Sequence, residues 1–127
     1  MRPQATSDEA TIHALLETWV VAVRAHDLEG VLEHRSRDIV MFDVPPPLQS
    51  KGIDAYRDTW TLYFGDEGSR LFELGETRIV ASDHVAWVHA VLRCTTSPHP
   101  AGRLTMGLRK VDGRWLVEHE HHSFPLE

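Results

Sequence analysis

Apolar side chains recur every three or four positions near the start of the chain, which is the pattern of an amphipathic helix. This stripe predicts a helix over residues 7 to 25, and it consists of Ile12, Leu15, Leu16, Trp19, Val20 and Val23. Asp27 follows, and its short acidic side chain is suited to cap the N-terminus of a second helix. The apolar side of that shorter helix would carry Leu28, Val31 and Leu32.

A third helix is predicted between two glycines. Gly52 opens it, Gly65 stops it, and three aromatic side chains lie four residues apart on one face, namely Tyr56, Trp60 and Phe64. Before it, residues 38–44 form a short apolar segment that ends at three consecutive prolines, 45–47. Because proline lacks a backbone N–H for a strand ladder, we expect a short strand that stops there.

Strict alternation of apolar and polar side chains replaces the helical spacing in the second half of the chain. It predicts strands over residues 71–81, 85–95, around 103–109, and 115–123, with Asp112-Gly113 as a tight hairpin turn. In the strand from Val85, one predicted face carries Ala86, Val88, Ala90, Leu92 and Cys94. The opposite face carries Val85, Trp87, His89, Val91 and Arg93.

Helices in the first half and strands in the second favour an α+β fold made of one domain over residues 1–127. We expect a cone-shaped, strongly curved, mixed or antiparallel sheet, with the three helices packed on its concave face. The other face, which carries Trp87 and His89, would then be uncovered. An apolar face of that kind predicts a homodimer through the outer side of the sheet.

Composition narrows the class of protein further. The chain has 127 residues, 42% hydrophobic and 25% charged, with a net charge of −6, which argues against a nucleic-acid partner. Cys94 is the single cysteine, so an internal disulfide is excluded. No apolar run reaches the roughly 20 residues of a membrane span, and the first residues lack a secretory signal pattern. We therefore expect a cytoplasmic protein that does not bind membranes.

Several stretches together resemble one known family. They are the Trp19 helix ending in 26–29 (HDLE), residues 37–45 (RDIVMFDVP), 52–57 (GIDAYR), 104–115 (LTMGLRKVDGRW) and 119–123 (HEHHS). In this order they are similar to the SnoaL-like and ketosteroid-isomerase-like branch of the nuclear-transport-factor-2-like superfamily. The resemblance implies a homodimer with a deep apolar pocket. It also implies acid–base chemistry on small hydrophobic molecules, usually without a cofactor.

Asp43 is the first candidate catalytic residue. It ends the short strand between Phe42 and Val44, and a carboxylate with apolar neighbours loses hydration and suits general-base chemistry. The ketosteroid isomerases have their base in a similar position, so the resemblance implies the same role for Asp43. The alternative is a structural carboxylate that accepts backbone hydrogen bonds at the turn before the prolines.

The residues at the positions that stabilise the substrate oxyanion in the isomerases are different in this chain. The resemblance places Trp19 where the isomerases have a tyrosine, and Thr105 or Met106 where they have a protonated acid. An indole donates one hydrogen bond and transfers no proton at neutral pH. We expect a substrate pocket lined by five residues, which are Trp19, Tyr56, Trp60, Phe64 and Met106.

Histidine is abundant, with nine in the chain, and the last strand contains three of them. Regular alternation puts His119 and His121 on the face of Trp115, and leaves Glu120 and His122 on the opposite face. We therefore expect His119 and His121 beside Asp43 as catalytic acid–base partners. Hydrogen-bonded structural histidines are the simpler alternative. A metal site made of these two histidines and Asp43 is permitted by the spacing but is not specific.

These patterns leave three functional hypotheses open. The first is a cofactor-independent isomerase, cyclase, hydrolase or dehydratase acting on a small hydrophobic carbonyl or polyketide-like compound. The second is a non-catalytic module of the same fold that binds a ligand or forms a dimer. The third is a metal-dependent enzyme. The position of Asp43 relative to the histidines distinguishes them.

Overall fold

Three helices form the first half of the chain, as the computed structural model shows for the described residues 3–66, 69–94 and 101–126. They are α1 (Pro3–Arg24), α2 (Leu28–Leu32) and α3 (Ile53–Phe64). The first helix begins four residues earlier than expected. Proline is favoured at the first helical position, because its missing N–H has no intrahelical partner there.

The predicted helix boundaries in the middle of the chain are confirmed. Asp27 caps α2, since its carboxylate Oδ1 accepts a hydrogen bond from the backbone N–H of Gly30 at 3.1 Å. Gly52 is the N-cap of α3 with φ of 91°, a conformation that favours glycine. Gly65 ends α3, and its N–H donates to the carbonyl of Leu62 at 3.1 Å.

Six strands form one mixed, curved sheet, with the helices packed on one face. They are β1 (Arg35–Phe42), β2 (Ser50–Lys51), β3 (Phe72–Ala81), β4 (Val85–Cys94), β5 (Gly102–Val111) and β6 (Arg114–Ser123), in the spatial order β2-β1-β6-β5-β4-β3. The pair β1 and β6 is parallel and the other pairs are antiparallel. The two-residue strand β2 was not expected, and Thr95, the predicted end of β4, lies outside the described residues.

The hairpins keep the predicted alternation through β4 and β5. Asp112 and Gly113 join β5 to β6 with φ of 51° and 80°, which is the positive-φ pair that a tight two-residue hairpin needs. In β4, Ala86, Val88, Ala90 and Leu92 are buried, as predicted for one face. The expected outward face of β4 is exposed.

A β-bulge in the last strand changes the face on which its side chains lie. Gly107 of β5 is opposite His119, while Leu108 is opposite Val117, so Glu118 is an extra residue without its own partner. Side chains alternate with a period of two, and one inserted residue therefore exchanges the two faces. Regular alternation across β6 was wrong beyond Val117, and Glu120 and His122 point inward with buried side chains.

The core lies between the helices and the inner face of the sheet, and aromatic rings form its centre. The Trp19 ring meets those of Trp60 and Phe72 edge-on, with centroid distances of 6.0 and 5.1 Å. No helix in the described part of the chain is both long and apolar enough to cross a membrane. The outer face of the sheet leaves Trp87 44% exposed.

Replacing Asp27 with alanine should destabilise the fold by about 1 kcal/mol, because α2 would lose its N-terminal hydrogen bond. Thermal unfolding should show a midpoint about 4 °C lower. Asp58→Ala is the matched control, since this exposed residue in α3 carries the same charge and caps no helix. Equal midpoints for the two variants would contradict a stabilising cap.

Candidate functional site

A cavity of about 380 Å³ opens between α3, the loop after β1 and the inner face of the sheet. Its volume is within the range of small-molecule pockets. Most of its wall is apolar or aromatic, and it includes Val44, Pro45, Pro46, Pro47, Trp60, Leu62, Tyr63, Phe72, Leu92 and Phe124. Asp43 and His122 contribute ionisable groups to the same wall, so polar chemistry is presented inside a largely apolar space.

Asp43 follows the end of β1 and lies at the polar part of the cavity. Its Oδ1 accepts a hydrogen bond from the N–H of Val44 at 2.7 Å. This bond orients the carboxylate at the start of the loop that contains prolines 45–47, the proline loop. The same oxygen is 3.8 Å from Nδ1 of His122. Its side chain is 25% exposed, compared with 8% for His122, so solvent reaches the carboxylate more easily than the imidazole.

Behind His122, Glu120 accepts hydrogen bonds from three side chains in the core. Its Oε1 receives the hydroxyl of Tyr56 at 2.9 Å and Nη2 of Arg35 at 3.2 Å. Its Oε2 receives Nε2 of His122 at 2.8 Å. Arg35 also donates from Nε to the Tyr56 hydroxyl at 3.0 Å. A buried carboxylate requires such partners, and here β1, α3 and β6 each supply one.

Burial and pairing act in opposite directions on the pKa values of this cluster. Burial alone would raise the pKa of Glu120, but the charge of Arg35 and the hydrogen bond from His122 outweigh it, and the pKa is lowered. Burial would lower the pKa of His122, but the hydrogen bond and charge of Glu120, with a contribution from Asp43, raise it. Burial raises the pKa of Tyr56, which stays a neutral donor.

The guanidinium of Arg35 is also held by aromatic rings. Its central carbon lies 5.0 Å from the ring centroid of Trp19 and 5.8 Å from that of Tyr56. Burial would lower the pKa of Arg35, but Tyr56 and Glu120 raise it, so the side chain stays charged. The buried ion pair with Glu120 is thus packed against the same aromatic residues that form the core.

The two histidines predicted as catalytic partners do not line the cavity. His119 and His121 lie on the outer side of the sheet, because the bulge at Glu118 exchanges the faces of β6. Nδ1 of His119 donates to the carbonyl of Val40 at 2.8 Å, and His121 is exposed. Both rings contact Phe42 edge-on. The structure instead brings His122 to Asp43.

Of the five residues predicted to line the substrate pocket, Trp60 lines the cavity. Trp19, Tyr56 and Met106 are buried in the core behind it, and Phe64 stacks on His26 at 4.5 Å. The expectation placed Tyr56, Trp60 and Phe64 together on one pocket-facing side of α3. In the structure Trp60 and its neighbours Leu62 and Tyr63 face the cavity, because the helix presents its C-terminal half to the proline loop.

The metal set of His119, His121 and Asp43 that the spacing permits is not assembled. His119 and His121 lie on the face of the sheet opposite the cavity that contains Asp43. Within residues 3–66, 69–94 and 101–126, no group of three or more histidine, cysteine, aspartate or glutamate side chains is placed to hold a metal ion.

The residues that sequence reasoning missed are Arg35, Glu120 and His122. A bulge has no reliable marker in a single sequence, so strict alternation assigned both Glu120 and His122 to solvent. Arg35 and Glu120 each stand among other polar residues of their strands, so the sequence did not mark either one as buried. The pairing of β1 with β6 brings them together.

Solved structures with this architecture include one of substantial sequence similarity. An NTF2-like protein of unknown function from Pseudomonas putida KT2440 is 35% identical, with a TM-score of 0.89 over 97% of this chain and 90% of that chain. A ketosteroid isomerase-like protein from Erwinia carotovora atroseptica is 18% identical, with a TM-score of 0.71 over 94% and 98% of the two chains. A cystatin-like fold protein from Nostoc punctiforme is 16% identical, with a TM-score of 0.76 over 94% and 96%.

These structures define the class as an α+β, NTF2-like fold. Residues 12–127 match the model of the SnoaL-like domain, and the chain belongs to that family. No curated protein matches the chain. The resemblance expected from the sequence is confirmed, and so is its fold, whereas the reaction is a separate question because this fold hosts many functions.

Removing one partner of the buried ion pair should destabilise the protein strongly. Glu120→Ala should lower the free energy of unfolding by about 3–5 kcal/mol, since Arg35 would remain charged and buried without its carboxylate. The double variant Arg35→Met with Glu120→Gln replaces both charged side chains by neutral ones of similar volume. Its free energy of unfolding should lie within about 1–2 kcal/mol of that of the native protein. Urea denaturation measures both, and equal losses for the two variants would contradict a compensated buried pair.

Proposed function

We propose that this protein is a cofactor-independent acid–base enzyme that acts on a small hydrophobic carbonyl or polyketide-like compound. Asp43 is the base and His122 is its partner acid. The observation that carries the proposal is the 3.8 Å approach of Asp43 Oδ1 to His122 Nδ1 in a cavity whose remaining wall is mostly apolar and aromatic. His122 takes the place that sequence alternation had given to His119 and His121.

The proposed step is proton transfer next to a carbonyl. The Asp43 carboxylate takes a proton from the carbon beside the carbonyl group, and the C–H electron pair becomes the C=C bond of an enol. The carbonyl π electrons move to oxygen, which takes a proton from His122. Return of the proton from Asp43 to the same or to another carbon, with return of the enol O–H proton to His122, completes an exchange or an isomerisation.

The cavity wall supports an apolar substrate. Leu62, Tyr63, Phe72 and Leu92 supply apolar surface for the body of a small molecule, while Asp43 approaches its polar group. Burial in such a site removes water from the reacting groups and strengthens their electrostatic interactions. A volume of about 380 Å³ lies at the lower end of the range for small-molecule pockets, so it favours a small substrate.

A non-catalytic binding module is the second candidate function. It is favoured by one specific observation, namely that Trp19, where the resemblance puts the tyrosine of the isomerases, is buried in the core, while neither Thr105 nor Met106 is an acid. In this alternative, the same cavity holds a small apolar ligand and Asp43 only orients it. Binding without proton transfer distinguishes this candidate from the enzyme.

Asp43→Asn should slow proton transfer by about 100-fold or more, because an amide cannot accept the substrate proton. The assay is hydrogen–deuterium exchange beside the carbonyl of small cyclic ketones and β-diketones in deuterated water, followed by NMR. This assay detects proton abstraction whatever the final product is. The same ketones should still bind to the variant, as measured by fluorescence of the cavity residue Trp60.

His121→Asn is the matched control, since this exposed histidine of β6 lies outside the cavity and should leave exchange unchanged. Exchange at the native rate in Asp43→Asn would reject Asp43 as the base. Binding by the native protein with no exchange of any ketone in the panel would favour the binding module.

We also propose a homodimer formed through the outer face of the sheet. On β4, Val85, Trp87 and Val91 are 57%, 44% and 36% exposed, and Trp87 stacks on His89 with a centroid distance of 5.5 Å. On β1 and β6, the Phe42 ring contacts that of His119 edge-on, and Gly107 of β5 is opposite both His119 and Trp87. Exposed apolar and aromatic side chains of this kind are suited to burial against a second copy of the chain.

Trp87→Glu should convert the dimer to a monomer at micromolar concentration, because the new carboxylate would be buried against the second copy of the chain. Sedimentation equilibrium measures the mass. Val21→Glu is the control, since Val21 is also exposed but lies on α1, away from the outer face of the sheet. A monomeric mass for the native protein would contradict the dimer.

A further inference from the structure

The imidazole of His122 has two ring nitrogens with different surroundings. Nε2 points into the core, 2.8 Å from Oε2 of Glu120. Nδ1 points the other way, 3.8 Å from Oδ1 of Asp43, and the residue lines the cavity. The inner contact is a hydrogen bond, whereas the outer one is longer than a hydrogen bond. Nδ1 is therefore the nitrogen that remains available to a ligand.

Glu120 determines which nitrogen carries the proton. An ionised carboxylate accepts hydrogen bonds and donates none, so its contact with Nε2 requires an N–H at Nε2. Glu120 is fully buried, and it is kept ionised by Arg35 together with the hydroxyl of Tyr56. A neutral His122 would then have a lone pair at Nδ1, and a charged His122 would have an additional proton there.

The charges around His122 balance in the protonated state. Arg35 compensates Glu120, and Asp43 compensates the imidazolium, so a positive His122 leaves the group of four neutral. The Trp60 ring, which carries no charge, is a further neighbour at 6.1 Å between centroids. Burial opposes the charged imidazole, but Glu120 and Asp43 outweigh it and raise the pKa of His122.

We propose that Glu120, held by Arg35 and Tyr56, is a positioning residue that presents the Nδ1 proton of His122 to the oxygen of the bound molecule. This proton would supply the hydrogen bond to a developing oxyanion that Trp19 and Met106, both buried in the core, do not supply. The inference rests on the proposed function, because it assigns a role within the same site. Glu120 and Arg35 act through His122 and do not line the cavity.

The test is histidine-ring NMR of the full-length protein, which needs no substrate. The signals of His122 are assigned by their loss in His122→Gln. In the native protein, His122 should be protonated at Nε2 in its neutral form, and its titration midpoint should lie above that of an ordinary histidine. A neutral form protonated at Nδ1 would overturn the proposal without any variant at Glu120.

The double variant Arg35→Met with Glu120→Gln removes the carboxylate and its counter-charge together. Its titration midpoint for His122 should fall by on the order of one pH unit, and a mixture of neutral tautomers should appear, because glutamine can both donate and accept. His119 and His121 serve as internal controls, since they lie on the other face of the sheet and should keep their midpoints. If the titration midpoint and the tautomer of His122 were unchanged, Glu120 would have only a structural role, and the proposal would be overturned.

Ketone exchange provides a second readout that separates this inference from the proposed function. If the native protein catalyses exchange, the basic limb of its pH profile should move to lower pH in the double variant, while ketone binding changes less than about twofold. The sign follows because loss of Glu120 lowers the pKa of His122, and loss of Arg35 opposes this with a smaller effect, so the Nδ1 proton is lost at lower pH. If the native protein catalyses no exchange, the proposed function fails, and the NMR result still decides the role of Glu120.

Discussion

The buried ion pair between Arg35 and Glu120 is the interaction on which the site depends. It joins β1 to β6 where these two strands run parallel, and Tyr56 connects it to α3 through hydrogen bonds to both partners. Two charges removed from water are costly unless each is compensated by well-placed partners. Here the Glu120 carboxylate accepts hydrogen bonds from three side chains. The polar residues that join the sheet to α3 therefore form one hydrogen-bonded cluster within an aromatic core.

The same unit connects the stability of the fold with the chemistry of the cavity. His122 is the outermost member of the hydrogen-bonded chain, and it is the point at which the chain reaches the cavity wall. The charge state of its ring is consequently set from the core side by Glu120 and from the cavity side by Asp43. A site arranged in this way can hold a proton in a mostly apolar space. The described residues contain no metal ligand set beside it.

The fold was predictable from sequence because its elements carry strong local signals. The apolar stripe around Trp19, the cap at Asp27, the glycines flanking α3 and the Asp112-Gly113 turn each specify a local conformation with its own physical cause. The candidate site was predictable in part. The position of Asp43 was predictable, because the end of a strand before prolines is a local feature, while its catalytic role is a proposal. Glu120 and His122 were missed, because their inward direction results from one bulge, which depends on pairing with β5.

The nine histidines illustrate the difference between residue type and environment. His121 and His122 are neighbours in the chain, yet one is exposed beside Phe42 and the other is buried between two carboxylates. The same imidazole is a surface group in the first environment, and in the second it is a buried group whose pKa is raised by Glu120 and Asp43. The single residue inserted at Glu118 decides which histidine receives which environment. In this chain, the chemistry of the cavity is therefore a consequence of strand register.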